Sequence, residues 1–204
     1  MDTSDFVDTV RDDTKTELSR LGSSKSLYAD TEGKMESDAV LTAAADDATA
    51  AADTFEGWSD GDAGETFAAA AERKHDHAEE ITGKLDSYEA GETPAIAGFL
   101  REQESAVERL GALVGWTLAL EEKATQCSGF FTGQADPRTA SLFRGFGDDY
   151  ETTREEALAA LAEHCDGADD WERAQAAATG AIEAAYEEYV ETLESLGVNP
   201  KPVC

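Results

Sequence analysis

Between residues 99 and 132 the chain keeps one helical pattern without a break, and this restricts its fold more than any other feature. Val107, Leu110, Leu113, Val114, Leu118 and Phe131 fall on a single stripe of an α-helix, and Glu121, seven residues after Val114, falls on the same stripe. A helix of this length with one apolar face has to bury that face against other helices. The rest of the chain supplies them. Residues 4–21 carry Phe6, Val7, Val10, Leu18 and Leu21 on one side, with Ser4 as a starting cap and Gly22 as a stop. From Ser37-Asp38, a suitable cap, to about Trp58 the stripe is Val40, Leu41, Ala44, Ala48, Ala51, Phe55 and Trp58, and Asp47 lies within it.

The polar run 59–64 is a loop, and the helix after it points Phe67, Ala71, Ala78, Ile81 and Leu85 inward together with His75. Asp136-Pro137 places an N-cap before a proline at the first helical position, which opens a helix running to about His164. Leu142, Phe143, Phe146, Tyr150, Thr153, Ala157 and Leu161 form its inner face. A last helix from about Asp170 to Leu196 buries Trp171, Ala178, Ile182, Ala185, Tyr189 and Leu193. Residues 23–36 read as a connection anchored by Leu27, Tyr28 and Met35. Residues 88–95, with Gly91 and Pro94, read as a longer crossover between two helical hairpins.

The pattern predicts an all-α protein of one domain in three parts. Residues 1–35 form an N-terminal helix and connection, residues 36–163 a four-helix bundle, and residues 164–204 a C-terminal helix and short tail. Ala and Glu are abundant and β-branched residues sparse. Two of the four prolines fall in the last five residues, so helices have few breakers.

Charge then limits the partners. The chain has 45 acidic and 16 basic residues, a net charge of −29, which repels nucleic acid and anionic membrane surfaces. Such a surface suits a salt-adapted protein, because molar salt screens its self-repulsion while the carboxylates stay hydrated. Cys127, Cys165 and Cys204 form no close pair and are odd in number, so no disulfide framework is expected. Of the three, Cys204 in the tail is the most open to reaction. No signal peptide precedes the first helix and no apolar run nears the ~20 residues of a membrane span, so a cytoplasmic protein is expected.

Chemistry concentrates in one turn. Glu72 and His75 are three residues apart and share a helix face, which Glu79 continues. A Glu-x-x-His pair facing inward is half of the di-metal carboxylate site of ferritin-like bundles, whereas the same pair facing outward is a solvated charged face. His77 lies about 200° from His75 on the helical wheel and is expected to face solvent. His164 and Cys165 sit at a helix end, where the dipole favours histidine without further role.

Glu72-Arg-Lys-His75-Asp-His-Ala-Glu resembles the second-helix motif of rubrerythrins, and Ser141-Leu-Phe-Arg-Gly-Phe resembles the start of their fourth helix. The resemblance covers roughly residues 36–163 and implies a ferritin-like four-helix bundle there; the additional N- and C-terminal helices read from the apolar pattern lie outside it. It also implies a metal site in which Asp47 (or Asp46), Glu72, His75 and Glu121 (or Glu122) are the ligands, holding iron or another divalent metal such as manganese or zinc. The fourth-helix partner motif is absent, because Tyr150-Glu-Thr-Thr153 stands where a second Glu-x-x-His would fall. No Cys-x-x-Cys pair for a rubredoxin-like electron donor exists either. The expectation is therefore a degenerate or single-metal site, or none. An active non-haem di-iron oxidoreductase or peroxidase is the alternative, and a non-catalytic protein-binding or scaffold bundle the second. Homodimerisation and a protein partner both stay open.

Overall fold

The computed structural model describes residues 3–201, and its secondary structure there is helical throughout, with no strand. The helices are α1 Thr3–Asp13, α2 Lys15–Leu21, α3 Ser24–Asp30, α4 Ser37–Glu56, α5 Gly64–Thr82, α6 Ala95–Arg101, α7 Ala106–Gly133, α8 Pro137–His164 and α9 Ala168–Ser195. The all-α expectation stands. Among the described residues, no helix is long and apolar enough to cross a membrane. Cys204 lies outside the described residues.

Three boundaries depart from the sequence reading. Residues 4–21 form two helices, because the chain turns at Thr14, whose buried hydroxyl donates to the Val10 carbonyl at 2.7 Å. The connection 23–36 contains α3, with Leu27 buried. The pattern at 99–132 belongs to two helices: α6 ends at Arg101 and α7 starts anew after Ser105. Local chemistry fixes that restart, since Glu108 N–H donates to Ser105 Oγ at 3.3 Å while Glu108 Oε2 accepts from Ser105 N at 2.9 Å, a capping box. At the head of α8 the cap is the expected one, Asp136 accepting from Thr139 N at 3.1 Å ahead of Pro137. Ser37, by contrast, lies inside α4, and Glu36 is the cap position.

Helix α7 is the axis of the molecule. From Leu110 to Leu120 every residue is buried, so this stretch has neighbours on all sides. Helices α8 and α9 both pack along it. The α7–α9 contact is close because Gly111 and Gly115 face Ala174 and Ala178, and a Cβ on either glycine would collide with α9 backbone. Helices α4 and α5 pair as a hairpin, α5 leans on α8, and α6 bridges α4 and α9. That hairpin meets its neighbours through long side chains: the Phe55 ring centroid lies 5.1 Å from that of Trp116 on α7 and His77 3.7 Å from Phe146 on α8, while Trp58 and Phe67 meet within the hairpin at 5.1 Å. Helices α1 and α2 cover α9, with the Phe6 ring 5.6 Å from Trp171. Alanine and glycine thus draw one neighbour of α7 in, and aromatic rings hold the hairpin off. The space under the hairpin is where Lys74, His77 and Lys123 lie.

Candidate functional site

Helix α5 is rotated relative to the sequence expectation. Glu72 and His75 are exposed, and Lys74 and His77 are buried at 1% and 3% exposure. The register explains this: seven-residue steps from Phe67 lead to Lys74 and Ile81, both interior, whereas His75 lies one position off that line. Among the described residues His75 pairs with Glu56 of the neighbouring helix, at 3.6 Å on the surface. The inward Glu72–His75 pair and the solvent-facing His77 are both corrected by this placement.

The aromatic gap accommodates Lys74. Its Nζ lies 4.0 Å from the Tyr150 ring centroid, 5.1 Å from Trp116 and 6.0 Å from Phe146, and it hydrogen-bonds His77 Nδ1. His77 Nε2 is 2.8 Å from Asp149 Oδ2. A carboxylate only accepts, so Nε2 carries the proton, and Nδ1 is left to accept from the lysine. The imidazole is therefore neutral, in keeping with its environment: burial, then the nearby Lys74 and Arg73 charges, push His77 down to about 2. Burial also holds Lys74 well below the usual lysine range. Beside this row Arg73 forms a two-pronged pair with Glu156 at 2.7 and 2.6 Å. The row Asp149, His77, Lys74 runs from a half-exposed carboxylate to the middle of the bundle.

A second lysine is buried on α7. Lys123 Nζ sits 3.1 Å from Asp30 at the end of α3 and 3.3 Å from Asp47 on α4. Burial works against its charge, but the carboxylates of Asp30, Asp47 and Glu188 outweigh it and leave Lys123 above the ordinary range. For Asp47, burial exceeds the pull of Lys123 and raises the carboxyl to about 6. Asp47 does face the interior, as its place in the stripe indicates. Its neighbour Asp46 instead holds the crossover, accepting from Tyr88 Oη at 2.8 Å and from Gly91 N at 2.9 Å.

Glu121 does not join Asp47. It pairs with Arg154 at 2.7 Å and with Arg11 at 3.8 Å on the other side of α7, and the adjacent Glu122 lies against Gly22. The four proposed ligands are thus dispersed: Asp47 on a lysine, Glu121 on arginines, Glu72 and His75 in solvent. Among the described residues, no three His, Cys, Asp or Glu side chains gather so as to hold a metal. The residues implied by the resemblance do not fit a metal centre.

Between the two lysine clusters lies a cavity of about 30 Å³, walled by Leu120, Phe143, Phe146 and Ile81 and bordered by Asp47, Lys123, Cys127, His77 and Tyr150. Asp30, Asp47 and Lys123 separate it from an outer acidic recess of about 210 Å³ that includes Glu92 and Glu188. On the opposite side, His77 and Phe146 separate it from a groove of about 660 Å³ bearing Arg73, Lys84 and Arg138. Lys74, Asp149, Lys123 and Asp30 were not singled out from the sequence, and His77 was expected to face solvent. The signal that exposes two of them is simple: Lys74 stands at a core position of α5, and Lys123 lies three residues after Leu120 and four before Cys127 on the inner face of α7. No family model, curated protein or solved structure matches this chain.

Proposed function

We propose that the chain is a ferritin-like, rubrerythrin-related bundle that has lost metal chemistry and acts as a non-catalytic binding or scaffold protein. The observation that carries this reading is Lys123. Its ammonium lies 3.1 and 3.3 Å from Asp30 and Asp47, where it neutralises the one ligand candidate that faces the interior. A divalent cation beside Asp47 would have to displace a lysine that is itself buried and paired, and expelling either charge unpaired costs several kcal/mol. Tyr150 and Thr153 on the inner face of α8 point the same way, since they add a phenol and a hydroxyl instead of a carboxylate and an imidazole. The salt-adapted surface belongs to the same proposal, resting on the net charge of −29.

Titration of protein purified in high salt with iron(II), manganese(II) and zinc tests it. No stoichiometric uptake is expected in the wild type or in Glu72→Ala and His75→Ala variants. Two irons per chain with a bridged di-iron absorption spectrum would overturn the proposal.

A further inference from the structure

We infer that the cavity between Tyr150 and the Asp47–Lys123 pair is a built site for ordered water, with room for about two molecules, hydrogen-bonding α8 to α4 and α7 across the gap under the hairpin. The first ground is an unmet need. Tyr150 is 7% exposed, and its hydroxyl has no hydrogen-bond partner among the described residues, although its ring is fully engaged with Lys74, Trp116 and His77. Among the described residues the fully buried side-chain polar atom without a partner is Ser26 Oγ, so the Tyr150 oxygen is still within reach of a molecule the size of water, and water is the partner that the protein leaves to it.

The second ground is space of the right size. The volume of about 30 Å³ exceeds the ~10–15 Å³ that one water requires and falls far short of any substrate-sized ligand. The room exists because Ala44, Ala48 and Ala124 stand where larger apolar residues would close it. The third ground is the set of polar partners. A buried water needs two to four, and the cavity is lined by Tyr150, Asp47 and Lys123, which carry a hydroxyl, a carboxylate and an ammonium. An empty cavity would need apolar walls all round, and this one has a paired charge on one side. The site does not depend on the absence of metal chemistry, being argued from Tyr150 and from the size and lining of the cavity.

A crystal structure of the full chain grown from molar potassium chloride reads the site directly. One or two ordered waters within hydrogen-bonding distance of Tyr150 Oη and the Asp47 carboxylate are expected. A dry cavity overturns the inference. Anomalous signal after exchange of potassium for rubidium would mean an ion, and also overturns it. A divalent metal there would sink both this inference and the proposed function, whereas a dry cavity sinks this one only. Solution measurements give an independent check through the sign of a change. If the cavity is a packing void, Ala124→Val fills it and raises the unfolding temperature. If it holds water, the added methyl groups displace a partner of Tyr150, and the unfolding temperature falls by several degrees. In a Tyr150→Phe background the same substitution should cost distinctly less, and equal loss in both backgrounds would count against the site.

Discussion

Lys74 shows how a single side chain can be held in place by its surroundings and still cost stability. At 1% exposure it has given up its hydration for three aromatic faces and one imidazole. A desolvated cation–π contact returns about 2 kcal/mol or more, which offsets only part of the several kcal/mol lost in desolvating a full charge. Lys74→Met keeps the length and removes the charge, so chemical denaturation should show a gain of about 1 to 3 kcal/mol, whereas Lys74→Ala leaves a hole and should lose about 2 to 4. His77 carries a pH signature. Its folded value is about 2 against an ordinary 6.5, so between these limits the unfolded chain binds a proton that the native chain refuses. Its contribution is fully present above 6.5 and is lost as pH falls. Asp47 has the opposite sign, because its folded value of about 6 lies above its ordinary 3.8, and its contribution is lost as pH rises through 6. The two offset one another between about 4 and 6. Replacing His77 with Gln removes one side of the balance, so urea midpoints measured from pH 7 to pH 4 should fall less in His77→Gln than in the wild type. A steeper fall in the variant would refute the neutral buried imidazole.

At the scale of elements, the spacing around α7 decides what the core can contain. Gly111 and Gly115 let α9 approach until Ala174 and Ala178 touch the α7 backbone, which leaves no room for polar groups on that side. The α4–α5 hairpin stands off on Phe55, Trp58, Phe67 and Trp116, and every group of the candidate site lies in that wider layer. Gly115→Ala tests the close contact. In an exposed helix the change would stabilise by up to about 1 kcal/mol, but here the new methyl meets the Ala178 carbonyl, and overpacking of this kind costs about 1 to 3 kcal/mol. A lower unfolding temperature with unchanged helical circular dichroism is expected. A rise in unfolding temperature would show that the two helices have slack between them.

For the molecule as a whole, charge sets the conditions of folding. With 45 acidic and 16 basic residues on 204, the compact state carries strong self-repulsion that only mobile ions reduce. The screening length shortens from about 10 Å at 0.1 M salt to about 3 Å at 1 M. Thermal melts should therefore shift upward as potassium chloride is raised from 0.1 to 2 M. The interior pairs, Lys123 with Asp30 and Asp47 above all, are shielded from those ions and should contribute little to that shift, so a Lys123→Met variant should retain the same salt slope. A melting temperature independent of salt would remove the charge argument.

The sequence by itself determined what repeats along the chain. Apolar periodicity made the protein helical, placed Asp47, Tyr150 and Thr153 on inner faces, and located the α8 start through Asp136-Pro137, because each of these follows from local geometry within a few turns. It also set an expectation about partners through net charge, a sum that needs no fold. The tertiary structure decided which of two plausible faces of α5 turned inward. A Glu-x-x-His motif suggested one orientation, but the hairpin packs on Phe67, Ala70 and Ile81, and rotation about the helix axis is set by the large apolar anchors on either side. That rotation exposed Glu72 and His75 and buried Lys74 and His77. Nor could periodicity show that Asp30 and Lys123, 93 positions apart, meet at 3.1 Å, since such pairs exist only where α3 closes over the end of the cavity. Spacing along one helix is encoded locally, whereas the partner that meets a given side chain is settled by how helices far apart in the chain pack together.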